Sequence, residues 1–172
     1  MIERRSFFQW IAFLAPKWAR AQSIDAVAMR ELANVVLPEA LGRQGTDKVA
    51  DDFVQWIRDY KEGVNMAAGY GHPRTQVVPP NPSKHYAEQL RQLQAALVHA
   101  DLGVRRSAVG RAITEAGVDR LPNRPNGKHV ASDLLAYFYG SSAGEDLLYG
   151  VAIKRDECRG LGNSAKRPAA LM

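Results

Sequence analysis

Apolar residues recur at helical spacing in one segment of this chain after another, and this recurrence constrains the fold more than any other feature. The clearest case follows Ser83, where Tyr86, Leu90, Leu93 and Leu97 form one face of a helix. No stretch alternates convincingly between apolar and polar residues, the pattern of a half-buried strand. At 172 residues the chain is long enough for one domain. The sequence therefore predicts an all-α fold: a single compact multi-helix domain with long Pro/Gly-rich loops.

Capping and helix-breaking residues indicate where the predicted helices begin and end. Ser23, Thr46 and Ser83 are good N-cap residues, Pro38 stops the first helix, and Gly63 is placed to end the second. The predicted buried positions of these helices are Ile24, Val27, Leu32, Val35 and Val36, then Val49, Phe53, Ile57 and Tyr60 flanked by Trp56, and, beyond Leu97, Val98. Weaker patterns predict helices over 104–116, 130–139 and 145–153.

Charged residues on these helices are predicted to be exposed or to serve the helix itself. Asp47, Asp51 and Asp52 fall in the first turns of the second helix, where negative charge favours the helix dipole. We prefer this interpretation to a metal site. Arg105 and Arg106 are predicted to belong to a solvated face of the 104–116 helix.

Two segments are predicted to be loops. Residues 63–82 contain four prolines and three glycines and follow neither period, and 119–129 is rich in Pro, Asn and Gly. A loop as long as the first is usually functional or disordered. Within it, Tyr70 and His72 fit the lining of a small-molecule pocket or a contact with a partner protein, and we favour the partner.

The charge of the chain is concentrated at its start. Residues 1–21 carry four basic and one acidic residue, so they supply +3 of the formal charge of +5 and leave +2 for the rest. Binding to phosphates needs a concentrated basic face. We therefore expect no nucleic-acid partner.

The inventory of reactive residues is sparse. Cys158 is the only cysteine, which excludes an internal disulfide, a c-type haem attachment and a multi-cysteine metal site. It is either an inert thiol or a contact with another chain. The four histidines are too far apart for a local ligand motif, and no nucleophile elbow, His-Glu-x-x-His or P-loop occurs. The sequence predicts no catalytic, cofactor-binding or metal-binding residue in this chain.

The first residues are typical of an export signal. Arg4 and Arg5 are followed after one residue by Phe7 and Phe8, which resembles the twin-arginine pattern that carries folded cargo. A short apolar run and the small residues of Ala19-Arg20-Ala21 complete the signal. The run is too short and too interrupted to span a membrane stably. We predict a twin-arginine signal peptide over 1–21, with a general secretory signal as the alternative, and a periplasmic domain over 22–172.

Several features together resemble the gluconate 2-dehydrogenase subunit 3 family. They are the twin-arginine leader, Val35-Val36-Leu37-Pro38 followed by Gly42, the Thr46-led helix with Phe53-Val54, and Cys158-Arg159-Gly160-Leu161. Where a common version of the family has Tyr-Gly-Gly-Asn, this chain has Leu148-Tyr149-Gly150-Val151.

The resemblance implies a non-catalytic small subunit of a membrane-associated, FAD-dependent sugar or alcohol dehydrogenase. In such complexes a large flavoprotein carries FAD and performs the oxidation, and a multihaem cytochrome c accepts the electrons. The small subunit supplies the signal for the twin-arginine translocase and stabilises the folded flavoprotein. The expected partner contacts are Tyr70, His72, Cys158 and Arg159.

Two other functions stay open. One is an independent exported enzyme or small-ligand-binding protein that uses the 63–82 loop, with Tyr70 and His72 converging with other polar side chains. The other is a free-standing structural or envelope-interaction protein.

Overall fold

Helices form most of the described chain, as the sequence predicts. The structure is a computed structural model, and it describes residues 24–69, 72–152, 166 and 169–171. The helices are α1 Ala26–Val36, α2 Gly42–Arg58, α3 Tyr86–Leu97, α4 Leu102–Glu115, α5 Val130–Tyr139 and α6 Ser142–Tyr149. Short 3-10 turns cover Glu39–Leu41 and Pro82–His85, and two strands, β1 Gly63–Gly69 and β2 His72–Val78, form one antiparallel pair.

Helix α1 lies at the centre of the helical body and contacts α2, α3, α4 and α5. Its core face carries Met29, Leu32, Ala33 and Val35, all buried. The largest side chains packed around it are Phe53, Tyr86, Leu90, Leu134 and Phe138. Removing these apolar surfaces from water is the main favourable term in forming the domain.

The predicted start of α1 is wrong by two residues. Asp25 caps the helix, because its carboxylate accepts hydrogen bonds from the backbone N–H groups of Val27 and Ala28 at 2.9 and 3.3 Å. Ser23, the predicted cap, lies outside the described residues. Val27, predicted to be buried, is 66% exposed.

Helix α2 begins four residues before its predicted cap. Thr46 lies inside the helix and is buried, and its hydroxyl donates to Asn34 Oδ1 at 2.6 Å, with the Arg43 carbonyl a further 2.8 Å contact. It therefore ties α2 to α1 and caps nothing. Gly63 does not end this helix, which stops at Arg58.

The three aspartates of α2 form ion pairs and do not occupy the first turn. Asp51 binds Arg30 with both oxygens, at 2.9 and 2.8 Å, and Asp52 accepts from Lys48 at 2.6 Å. Asp47 lies 3.3 Å from Arg43 Nε. The Asp51 carboxylate has a lowered pKa because Arg30 donates to it. The position of these aspartates was therefore explained wrongly from the sequence: the helix starts earlier than predicted, so they lie beyond the first turn, where the helix dipole acts.

The apolar face of α3 is confirmed at Tyr86, Leu90, Leu93 and Leu97, each of them buried. Val98 is 75% exposed, so the prediction was wrong for this residue. Ser83 does not cap an α-helix. It lies in the 3-10 turn before α3, where its N–H donates to Asn81 Oδ1 at 3.0 Å.

Helix α4 presents its arginines differently from the prediction. The Arg105 side chain is only 20% exposed and lies 3.8 Å from Glu31, while its Nε is buried without a hydrogen-bond partner. Arg106 is half-exposed and binds Glu39 at 2.7 Å. Only Arg106 matches a solvated face. The Arg105 guanidinium lies against α1, next to Glu31.

Candidate partner interface

The segment predicted as the long loop 63–82 contains an antiparallel β-ribbon, which corrects the sequence interpretation. We call the paired strands β1 and β2 the ribbon. Its register pairs Gly63 with Val78, Val64 with Val77 and, at the far end, Gly69 with His72. The sequence hid the strands because small residues and a proline dilute the alternation, yet polar Asn65, Arg74 and Gln76 do recur at alternate positions.

Two exposed valines lie opposite each other in the ribbon. Alternate residues of a strand lie on opposite faces, so the register groups positions 64, 66 and 68 with 73, 75 and 77. Val64 and Val77, which lie directly opposite each other, are 66% and 71% exposed. They form a contiguous apolar patch open to solvent.

The ribbon has little support from the helical body. Among the described elements, each of its strands packs extensively only against the other strand. A single two-stranded hairpin is marginally stable at best in water. Such a ribbon is therefore stabilised when another surface covers it.

The root of the ribbon, in contrast, is fastened to the body. The Tyr60 hydroxyl donates to the Pro79 carbonyl at 3.0 Å, and the Asn81 side chain donates to the Ile57 carbonyl at 3.2 Å. The backbone N–H of Asn81 donates to Glu62 at 3.1 Å. These bonds fix where the ribbon leaves the end of α2.

Half-buried aromatic rings continue the surface from this root. We call Trp56, Tyr60 and Tyr137 the aromatic ladder. Trp56 stacks on buried Phe53, with ring centroids 5.7 Å apart and planes at 10°, and Tyr60 meets Trp56 edge-on at 5.1 Å. Tyr137 of α5 lies 5.7 Å from Trp56. Trp56 and Tyr60 share a face because they are four residues apart on α2 and in the turn after it.

Charges border the ladder. The Tyr137 phenol has a raised pKa, first because it is partly buried and then because of the nearby Asp52 charge. The positive charge of Lys48, which pairs with Asp52, acts in the opposite direction and lowers the Tyr137 pKa. The ladder is therefore an aromatic patch with a polar rim, the composition found at protein–protein interfaces.

Most of the residues predicted for export and partner binding lie outside the described chain. These are Arg4, Arg5, Phe7, Phe8, Ala19, Ala21, Tyr70, Cys158 and Arg159. His72 is the first residue of β2 and is paired with Gly69. The aromatic ladder and Val64 were not predicted as interface. Their signal in the sequence was weak, because Trp56 and Tyr60 also fit the buried stripe of a helix.

The second Pro/Asn/Gly segment is built very differently. We call residues 117–129 the pinned loop. Asp133 is completely buried in α5, and its carboxylate accepts from the N–H of Asn126 at 3.0 Å and of Gly127 at 2.7 Å. Tyr86 donates to it at 2.6 Å. Burial and the Asp133 contact raise the Tyr86 pKa, so the phenol keeps the proton that it donates.

A polar cavity of about 670 Å³ lies along this loop and includes Asp119, Arg120, Asn123 and Lys128. The Lys128 ammonium donates to the Gly117 carbonyl at 3.1 Å, within the loop itself. Part of the polar lining of the cavity therefore holds the loop backbone in place.

The described part of the chain contains no group of three or more His, Cys, Asp or Glu residues placed to bind a metal ion. The same residues include no helix with the length and apolarity to cross a bilayer.

Comparison of the chain with protein-family models, with curated proteins and with solved structures finds no match. The fold described above defines a small, mostly helical domain with one two-stranded β-ribbon.

Proposed function

We propose that this chain is a non-catalytic small subunit of a periplasmic, FAD-dependent sugar or alcohol dehydrogenase. In this role it supplies the twin-arginine export signal and stabilises the folded flavoprotein, which passes electrons to a multihaem cytochrome c. Through that complex the chain is membrane-associated. The family resemblance supports the identity of the partner.

The structural observation that carries the proposal is the ribbon. The exposed pair Val64 and Val77 lies on a ribbon that, among the described elements, packs extensively only on itself, which is consistent with an interaction site. An escort must hold its folded cargo during transport, so it needs a surface of this kind. The ribbon and the adjoining aromatic ladder provide one.

The first test is capture of the partner from the cell envelope. The chain, tagged at its C-terminus, is purified, and the eluate is analysed by mass spectrometry and by its flavin absorbance. We expect a large flavoprotein in stoichiometric amount. A colourless eluate that contains this chain alone contradicts the proposal.

The second test concerns export. Replacing Arg4 and Arg5 together by Lys removes the arginine pair and keeps the charge. We expect both this chain and the dehydrogenase activity to stay in the cytoplasm, measured by fractionation. Normal periplasmic activity in the variant rules out the escort role and leaves the capture experiment to decide whether the two proteins bind.

Cys158 offers a separate test of the interface. If it contacts the partner, replacement by Ser weakens the complex and lowers its melting temperature. Unchanged co-purification and melting temperature identify the cysteine as an inert thiol.

A further inference from the structure

A cleft of about 260 Å³ lies between α3 and α4. Its buried and half-buried lining is apolar and mostly alanine, and these short side chains leave the space between the two helices unfilled. They are Leu93, Ala96, Ala108 and Ala112. Gln92, Arg111 and Glu115 line the cleft with exposed polar side chains. An apolar floor with a few polar groups around it is the usual construction of a small-molecule site.

His129 also lines the cleft, and it is only 4% exposed. Its Nδ1 atom accepts from the Ala131 N–H at 3.2 Å, so the neutral imidazole carries its proton on Nε2. That Nε2–H donates to no described residue. It is not sealed in the core either, because Arg105 Nε is the only described side-chain atom that is both buried and unpaired. A buried histidine with an unused donor requires an explanation, and the cleft is where this donor points.

The contacts around His129 hold its imidazole in place. The Gln89 amide donates to the Lys128 carbonyl at 2.9 Å and accepts from the Val130 N–H at 2.8 Å, so it fixes the backbone on both sides of His129. The Ser132 hydroxyl donates to the His129 carbonyl at 2.8 Å. Burial lowers the His129 pKa, which keeps Nε2 a neutral donor at neutral pH. A donor held by packing and by further hydrogen bonds is preorganised for a ligand.

Two charges at the cleft are also unused. The described ion pairs of α4 involve Arg105 and Arg106. Arg111 and Glu115, which are one turn apart on the same helix, form no ion pair or hydrogen bond with any described residue, and both line the cleft. The cleft therefore offers a cation, an anion and a neutral N–H donor. A ligand that uses all three carries a carboxylate and an ammonium group.

We infer that this cleft binds an α-amino acid with an aliphatic side chain. The ligand carboxylate accepts from Arg111 and from His129 Nε2–H, its ammonium donates to Glu115, and its side chain lies on the alanine floor. The volume of the cleft is that of about nine liquid waters at about 30 Å³ each, which suits a ligand with roughly nine non-hydrogen atoms, such as leucine. The site needs no partner protein, so this inference is independent of the proposed function.

Isothermal titration calorimetry of the full chain with L-leucine tests the inference. We expect a Kd of about 1 mM or tighter, which is within reach of a ligand of this size. Isocaproate lacks the ammonium group, and leucinamide lacks the carboxylate charge. Each should bind at least about tenfold more weakly than leucine, because each loses a charge-assisted hydrogen bond.

Variants assign the binding to the cleft. Arg111→Met removes the guanidinium from an exposed position and should weaken leucine binding at least about tenfold. Arg106→Met is the matched control, because Arg106 is exposed on the same helix but lies outside the cleft. It should bind as the unmodified chain does. His129→Asn keeps a residue type that caps helices and removes the Nε2 donor, so it should also weaken binding.

NMR of the histidine nitrogens in the labelled full chain gives a second measurement that requires no substitution. The His129 signals, identified by their loss in His129→Asn, should shift when leucine is added. The absence of both a binding heat and this shift overturns the inference. Equal affinity for leucine and isocaproate, or equal affinity of Arg111→Met and Arg106→Met for leucine, also overturns it. Each of these results leaves capture of the flavoprotein unaffected, so failure of this inference is distinguishable from failure of the proposed function.

Discussion

The ribbon and the pinned loop both interrupt the helical pattern, yet they are constructed in opposite ways. Both contain glycine, and the ribbon has one proline, Pro73, where the pinned loop has two, Pro122 and Pro125. The pinned loop is fastened by a buried carboxylate that binds its backbone at Asn126 and Gly127. The ribbon is fastened at its root and otherwise packs on itself. The difference teaches that composition marks an irregular segment, whereas contacts with buried polar groups decide whether that segment is fastened to the core or packs mainly on itself.

From this comparison we expect the pinned loop to contribute to the stability of the domain and the ribbon to contribute to binding. Changes at the pinned loop should cost folding free energy, because they would leave the fully buried Asp133 carboxylate without hydrogen-bond donors. Changes at the ribbon should cost affinity for the partner and little stability.

The largest expected effect is the loss of Asp133. Replacing it by Ala leaves the Tyr86 hydroxyl and the N–H groups of Asn126 and Gly127 without their acceptor. We expect a loss of at least about 3 kcal/mol in the free energy of unfolding, measured by urea denaturation. Asp119→Ala, an exposed change on the same loop, is the control. Equal stability of the two variants would show that the loop is not pinned.

A smaller loss is expected from Gly127→Ala. Gly127 has φ +83°, a conformation that L residues rarely adopt, and a Cβ there would lie 3.0 Å from the Pro82 carbonyl. We expect a cost of about 2 kcal/mol from strain and this contact. Gly110→Ala, in open space on α4, should instead stabilise the chain by about 0.5–1 kcal/mol. Thermal denaturation of both variants checks the opposite signs.

The next effect is a dependence of stability on pH. His129 caps α5 by accepting from the Ala131 N–H at 3.2 Å, and burial lowers its pKa despite the charge of Asp133. The unfolded chain takes up the proton first, so stability is complete above pH about 6.5 and declines as the pH falls below it. The decline should be of the size of a helix cap, about 1 kcal/mol.

His129→Asn is the companion variant, because Asn caps helices without titrating. Unfolding curves between pH 7.5 and roughly 5 should be flatter in the variant than in the unmodified chain. An unchanged slope would show that His129 does not titrate differently in the two states.

The smallest effect on stability is expected at the ribbon. Replacing Val64 and Val77 together by Lys should change the free energy of unfolding by less than about 0.5 kcal/mol, because both side chains are exposed. The same change should abolish or strongly weaken capture of the flavoprotein. Val98→Lys, equally exposed, should leave capture unchanged. A ribbon variant that loses much free energy of unfolding but still captures the flavoprotein would contradict this separation of stability from binding.

Local periodicity was sufficient to predict much of the body. The spacing of Tyr86, Leu90, Leu93 and Leu97 identified the buried face of α3, because a helix places these positions together whatever its neighbours are. Ends of helices were less predictable. Thr46 suits an N-cap, but in this fold its hydroxyl is used to bind α1.

The contacts that separate the two irregular segments could not be predicted. Asp133 binds Tyr86, which lies 47 residues earlier in the chain, and no local pattern announces such a pairing. The ribbon was missed because Ala67, Ala68 and Gly69 have low strand propensity. Its pairing depends on which segments meet after folding, and a single sequence does not specify this.

Hydrogen exchange of the isolated chain and of its complex with the flavoprotein tests the central claim most directly. We predict that the isolated chain protects the Asn126 and Gly127 amides much more strongly than those of the ribbon, and that complex formation slows exchange in the ribbon while leaving the pinned loop unchanged. A ribbon as protected in the isolated chain as the pinned loop, and unaffected by the flavoprotein, would contradict the account.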